Sequence, residues 1–245
     1  MCLNNTKQLL IAWRMYPEDF SDKVINNYGV TETLTTISTQ KYANWVNNVM
    51  DWTSAQVNTN LSLVRNGILS PYLAGNTAVY KCPADNFLSS AQRPLGWSGR
   101  ARSLSMNAFF GPFSDYTADT WSKGMNTFFT SYRQWLKLSI VSRPANFFVV
   151  LDEHPDSIND GYFLNAPDTA NPGHWGDTPA SYHNGAGGIS FADGHSEIHK
   201  WQGIATRPPV RYTTQPGDNF GNDKGALADW DYLSIQHMAV KLPGQ

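Results

Sequence analysis

The most constraining stretch of the chain is ISFADGHSEIHKW, residues 189–201. Asp193-Gly194 supplies the two positive-φ positions of a type I′ turn, and the alternating residues on either side read as two antiparallel strands. A two-residue turn sets the register, pairing Ala192 with His195, Ser190 with Glu197 and Ile189 with Ile198. Opposed residues share a face. Ile189, Phe191 and Ile198 are therefore predicted to meet the core, while His195, Glu197, His199 and Trp201 alternate on the other side. Three of the six histidines, His183, His195 and His199, lie in or beside this hairpin. Their spacing speaks against a shared metal. His195 and His199 are four residues apart, about 13 Å along a strand. His183 precedes a glycine-rich bend, NGAGG, and meets Asp193 only if that bend folds back. Surface or hydrogen-bonded structural roles are expected for each imidazole.

The rest of the chain reads as helices first and strands after, an α+β order without βαβ units. In residues 1–16, Leu9, Ala12, Trp13 and Tyr16 share one helical face, and Pro17 is predicted to stop the helix. A second helix is predicted over 40–52, burying Tyr42, Trp45, Val46, Val49 and Trp52. A third spans 60–66, capped by Asn60 and ended by Gly67. Strands are expected at 78–85, 103–111 and 146–153, with another from Tyr162. Residues 111–127 and 165–179 read as loop insertions within a single domain covering 1–245. With 245 residues there is ample chain for a buried core. A formal charge of -2 without any basic run gives no electrostatic case for nucleic acid. The longest apolar run, FFVVL at 147–151, is far too short to span a membrane. Either the protein is cytosolic, or its targeting segment lies upstream.

Several groupings carry chemistry. The segment LDEHPDSINDGYF (151–163) concentrates hard oxygen donors: Asp152, Glu153, Asp156, Asn159 and Asp160, with Ser157 beside them. Calcium takes six to eight such oxygens. The spacing is not that of an EF-hand, and the competing reading is an acidic turn whose side chains cap backbone amides. Cys2 and Cys82 are the only cysteines, so a four-cysteine zinc site is excluded. They pair as a disulfide in an oxidising compartment or remain two thiols. A glycosidase needs two facing carboxylates. Asp152, Glu153 and Glu197 are available, with His183 as a further polar group. Nine tryptophans are present, of which Trp97, Trp121, Trp175 and Trp201 would form a sugar platform. Nucleophile-elbow, phosphate-loop and HExxH motifs are absent.

Together these segments resemble the prepilin-type H-X9-DG family, pseudopilin-like proteins of the planctomycete and verrucomicrobial type related to type II secretion G-type subunits. His183, nine residues and Asp193-Gly194 match the element that names the family. CLNNTKQLLIAWRMY, YKCPAD, RSLSMN and VLDEHPDSINDGYF look like further family blocks, and DWDYLSI (229–235) resembles the family's closing strand. The resemblance implies a pilin-like fold, an N-terminal helix packed on an antiparallel sheet. It also implies a membrane-inserted apolar helix just upstream, so that residues 1–16 are the remnant of a longer helix. The domain would be exported, periplasmic or at the cell surface, and anchored in full-length form. Its role would be that of a non-enzymatic subunit of a type II secretion or type IV pilus-like assembly, with other pseudopilins or secretion subunits as partners. Calcium in a late loop of G-type pseudopilins supports the 152–160 candidate. The alternative is a carbohydrate-binding protein, or a hydrolase of polysaccharide or ester, built on the same scaffold.

Overall fold

The computed structural model describes residues 2–115, 120–168, 173, 175–214 and 220–244. Its first helix, α1 (Cys2–Asp19), buries Thr6, Leu9, Leu10, Ala12 and Trp13 along one side. Pro17 does not stop it. A proline in the last turn removes only one donor, and the helix end is closed by Phe20 N–H to Tyr16 O at 3.1 Å and Asp22 N–H to Pro17 O at 2.7 Å.

Five strands form the sheet: β1 (Leu104–Asn107), β2 (Phe148–Asp152), β3 (Tyr162–Phe163), β4 (Ala186–Phe191) and β5 (Ser196–Lys200), in the order β3-β1-β2-β4-β5. Neighbours are antiparallel except β1 and β3, which run parallel. The central strand β2 is buried at every residue, which is what a continuous FVVL run demands of a strand covered on both faces. Helix α1 lies against β2, β4 and β5, and Arg14 reaches over the hairpin tip to bond the Ala192 carbonyl at 2.9 Å. The architecture is α+β, with helices and a mostly antiparallel sheet.

The hairpin turn differs from the predicted one, with large consequences. Gly194 has φ +106 and Asp193 is not left-handed. The turn closes with Gly194 N–H to Phe191 O and Phe191 N–H to His195 O, both 2.9 Å. This is a three-residue loop, a turn followed by a glycine bulge. Asp193 favours it because its carboxylate accepts the His195 amide at 3.0 Å. The register therefore slips by one residue: Ile189 faces Glu197, and Gly188 faces Ile198. A one-residue slip changes which side chains share a face. Ile198, expected in the core, is 42% exposed, whereas Ile189 and Phe191 are buried. Trp201, expected outside, is buried, and its indole N–H donates to Ala180 O at 2.8 Å.

Other elements also depart from the sequence reading. The segment 40–52 is not helical, and a helix lies earlier, at α2 (Val30–Ser38). Trp45, Val46 and Trp52 are buried all the same, with Tyr42 and Val49 partly so. Between them sit the buried Asn44, Asn47 and Asn48. Asn44 Oδ1 accepts the Tyr28 and Trp45 amides, and Asn47 Oδ1 accepts the Asn44 amide and the Thr36 hydroxyl. Side-chain amides here take the place of helical hydrogen bonds. α3 (Leu61–Arg65) forms as read, with Asn60 accepting the Ser62 amide. Gly67 is needed for space: a Cβ there would come within 2.1 Å of the Trp45 carbonyl. Where a strand was expected over 78–85, Thr77–Tyr80 form a 3-10 turn. The expected closing strand at 229–235 is instead helical, comprising the end of α4 (Lys224–Trp230) and a π-helical turn at Asp231–Gln236. Asp223 caps α4, and Asp229 accepts the Gln202 and Gly203 amides. Of the insertions, residues 116–119, 169–172 and 174 lie outside the described residues.

Candidate functional site

β2 ends at Asp152 and is followed at once by Glu153, and alternation along the extended backbone sends the two acids to opposite faces. Asp152 turns toward α1. Its carboxylate is fully buried; Oδ2 accepts the Gly188 amide at 3.0 Å, and Oδ1 has no hydrogen-bond partner. Position 188 is tight, since a Cβ there would lie 3.0 Å from Asp152 Oδ2 and 3.8 Å from Thr6 Cγ2.

His183 arrives from a tight turn. Asn184 and Gly185 adopt φ +53 and +82, and the turn is closed by Gly185 N–H to Ser181 O and His183 N–H to Ala186 O. The bend thus folds the imidazole back over the sheet. Its Nε2 lies 3.8 Å from Asp152 Oδ2 and 3.5 Å from Cys82 Sγ. Cys82, whose amide donates to Ser103 Oγ, is joined by a disulfide to Cys2 in the first turn of α1. Cys2, Cys82 and Asp152 are buried, and His183 is partly exposed. Burial pushes the Asp152 carboxyl above the usual carboxylate range. The Asp152 carboxylate in turn raises His183 above the ordinary imidazole value. Both shifts favour the protonated form of each group.

The H-X9-DG residues do not meet one another. Asp193 pairs instead with His195, Oδ1 to Nδ1 at 2.6 Å, at the hairpin tip. His183 belongs to the opposite end of β4. Each member of the buried group was visible in the sequence, but nothing local linked Asp152 and His183 to the cysteines.

The carboxylates of the 152–160 loop do not converge on one point. Glu153 Oε1 accepts the Ser157 hydroxyl at 2.6 Å. Asp156 accepts the Arg211 and Thr213 amides. Asn159 Oδ1 accepts the Asp160 amide, and Asp160 Oδ1 the Tyr162 amide. Asn159 and Asp160 thus cap backbone amides of the loop itself, while Asp156 holds the distant 211–213 backbone. Burial raises Glu153 to about 8 and Asp160 to about 7. Beside them the fully buried Arg102 is lowered by burial to about 10 and bonds neutral acceptors: Asn48 Oδ1, Leu104 O, Ser105 Oγ and Asn159 O. Among the described residues, one group of three or more His, Cys, Asp or Glu brings its ligand atoms within 4.8 Å of one another: Cys2, Cys82 and His183.

The sugar-hydrolase constellation does not assemble either. Glu197 accepts the Tyr232 hydroxyl and lies 3.4 Å from His199 Nδ1. It opposes Ile189, which opposes Leu151, so it shares Leu151's face and not that of Asp152. Trp121, Trp175 and Trp201 are buried and Trp97 is half-buried, so these four indoles form no open platform. No family model, curated protein or solved structure matches the chain.

Proposed function

We propose that this chain is the exported domain of a pseudopilin-like structural subunit, acting by assembly and not by catalysis. The observation that carries this reading is the outer side of α1. While its inner residues are buried on the sheet, Leu3, Ile11 and Met15 stand 38%, 51% and 44% exposed. Spacings of eight and four residues put them on one i+4 ridge, shared with the exposed Lys7, that winds about 120° around the helix from Leu3 to Met15. Such a ridge suits packing against a neighbouring helix in a filament. The Cys2–Cys82 disulfide fits an oxidising, exported setting. Dispersal of the candidate catalytic groups over both faces of the sheet favours assembly over hydrolysis.

The resemblance to the H-X9-DG family supports an apolar membrane anchor ahead of α1 and other pseudopilin or secretion subunits as partners. No helix among the described residues is itself long and apolar enough to cross a membrane. Calcium plays no part in this reading, because the 152–160 side chains turn to separate partners: Glu153 to Ser157, Asp156 to the Arg211 and Thr213 amides, and Asp160 to the Tyr162 amide. The test is Ile11→Glu with Met15→Glu in the full-length protein in its producing cell. Exposed-site changes cost little stability, within about 0.5 kcal/mol, so the domain should remain folded while higher-order cross-linked species disappear. Assembly that persists in the doubly substituted protein would sink the reading.

A further inference from the structure

We propose that the dithiol form of this protein, before the Cys2–Cys82 disulfide closes, binds a thiophilic divalent cation of the zinc class through Cys2, Cys82, His183 and Asp152. The donor set is two thiolates, one imidazole and one carboxylate, the mixture that four-coordinate zinc accepts. Sulfur donors select against calcium and magnesium.

Cys2, Cys82 and His183 already bring their donor atoms within 4.8 Å of one another, and Asp152, beside the imidazole but outside that group, moves in to complete the four. On a tetrahedral zinc with a sulfur at about 2.3 Å and a nitrogen at about 2.0 Å, those two ligands sit roughly 3.5 Å apart. Cys82 Sγ and His183 Nε2 are 3.5 Å apart. A nitrogen and a carboxylate oxygen on the same ion sit roughly 3.4 Å apart, and His183 Nε2 to Asp152 Oδ2 is 3.8 Å. The independent pointer to a ligand is Asp152 itself, fully buried with Oδ1 lacking any partner. Its other oxygen is oriented by the Gly188 amide, the kind of second contact that holds a metal ligand in place. Partial exposure of His183 provides an entry path.

Disulfide closure requires transfer of two electrons to a disulfide-type oxidant. It removes both thiolates from the site, so the ion leaves. In the test, a phosphine reverses that step. The phosphine donates an electron pair, the S–S bond breaks, and water supplies the phosphine oxide's oxygen and the two thiol protons. The phosphine-reduced protein is then titrated with Co2+ alone, and with Zn2+ in competition. We expect thiolate-to-cobalt charge transfer and the visible bands of a tetrahedral site in the reduced protein only. Affinity should fall at least tenfold in His183→Ala, and also in Asp152→Asn. Where reduction unfolds the chain, Zn2+ should restore its far-ultraviolet circular dichroism. Absence of the tetrahedral bands, affinity unchanged in His183→Ala, or failure of Zn2+ to refold an unfolded reduced chain would each overturn the proposal.

Discussion

Two histidine–aspartate pairs lie at opposite ends of β4, and they differ in almost everything that gives such a pair a function. His195 and Asp193 are two residues apart, meet at 2.6 Å and are largely in solvent, with side chains 44% and 33% exposed. His183 and Asp152 come from distant segments and approach only to 3.8 Å, but the aspartate is fully buried and the imidazole touches a disulfide sulfur. The shorter contact is the less consequential one. In water a close ion pair gains little, because solvent competes for both charges. In a buried site the same charges have few alternatives, so a longer contact perturbs both groups.

The comparison breaks most readily at the disulfide. Cys82→Ser opens a loop of 80 residues, which costs about 4–5 kcal/mol in the chain-entropy treatment. A thermal melt should fall by roughly 10 °C or more. A melt within a few degrees of the parent would show that the His183 end is not anchored by Cys2.

The next effect is in pH. His183, Glu153 and Asp160 all have folded values raised above their ordinary ones. Groups of this kind contribute stability that is complete below the unfolded value and is lost as pH rises through the folded one. Denaturant midpoints should therefore decline from about pH 5 toward pH 8, where Asp160 (about 7) and Glu153 (about 8) titrate. The hairpin tip runs the other way. Burial alone would raise Asp193, but the His195 amide and imidazole outweigh it and hold it low, so its contribution is lost as pH falls through that lowered value. Asp152→Asn should return His183 toward an ordinary imidazole titration by proton NMR. An unchanged His183 titration would mean that the 3.8 Å approach carries no electrostatic weight.

A smaller change is expected from Gly188→Ala. The new Cβ would press on Asp152 Oδ2, and modest overpacking of this kind costs about 1–2 kcal/mol, seen as a lower denaturant midpoint. Smallest of all is Asp193→Ala at the tip, under about 1 kcal/mol by the same measurement. If Asp193→Ala proved costlier than Gly188→Ala, the ranking of the two pairs would be inverted.

Legibility from the sequence varied with the range of the interaction. Asn60 was readable as a cap because it needs only the Ser62 amide, two residues on. β2 was readable because an uninterrupted apolar run has few places to go. The hairpin was readable as two strands and a turn, but not in register, since the choice between a two-residue and a three-residue loop turned on Asp193 accepting the His195 amide. Residues 40–52 carried helical periodicity, yet Asn44 and Asn47 drew hydrogen bonds from Tyr28 and Thr36. The four tryptophans assigned to a surface platform were spread through the chain, and three of them are buried.

The candidate site was the least legible part. Cys2, Cys82, Asp152 and His183 span most of the chain, and the motif that singled out His183 pointed to Asp193. By itself, the sequence determined local matters: caps, strand-forming runs and a glycine-bearing turn. Those depend on backbone preferences and neighbours within a few residues. Tertiary structure alone decided which face each strand presents and which distant side chains share a desolvated volume. A buried aspartate, an imidazole and two sulfurs become one site only when the packing of α1 and β4 against β2 excludes water from the space between them.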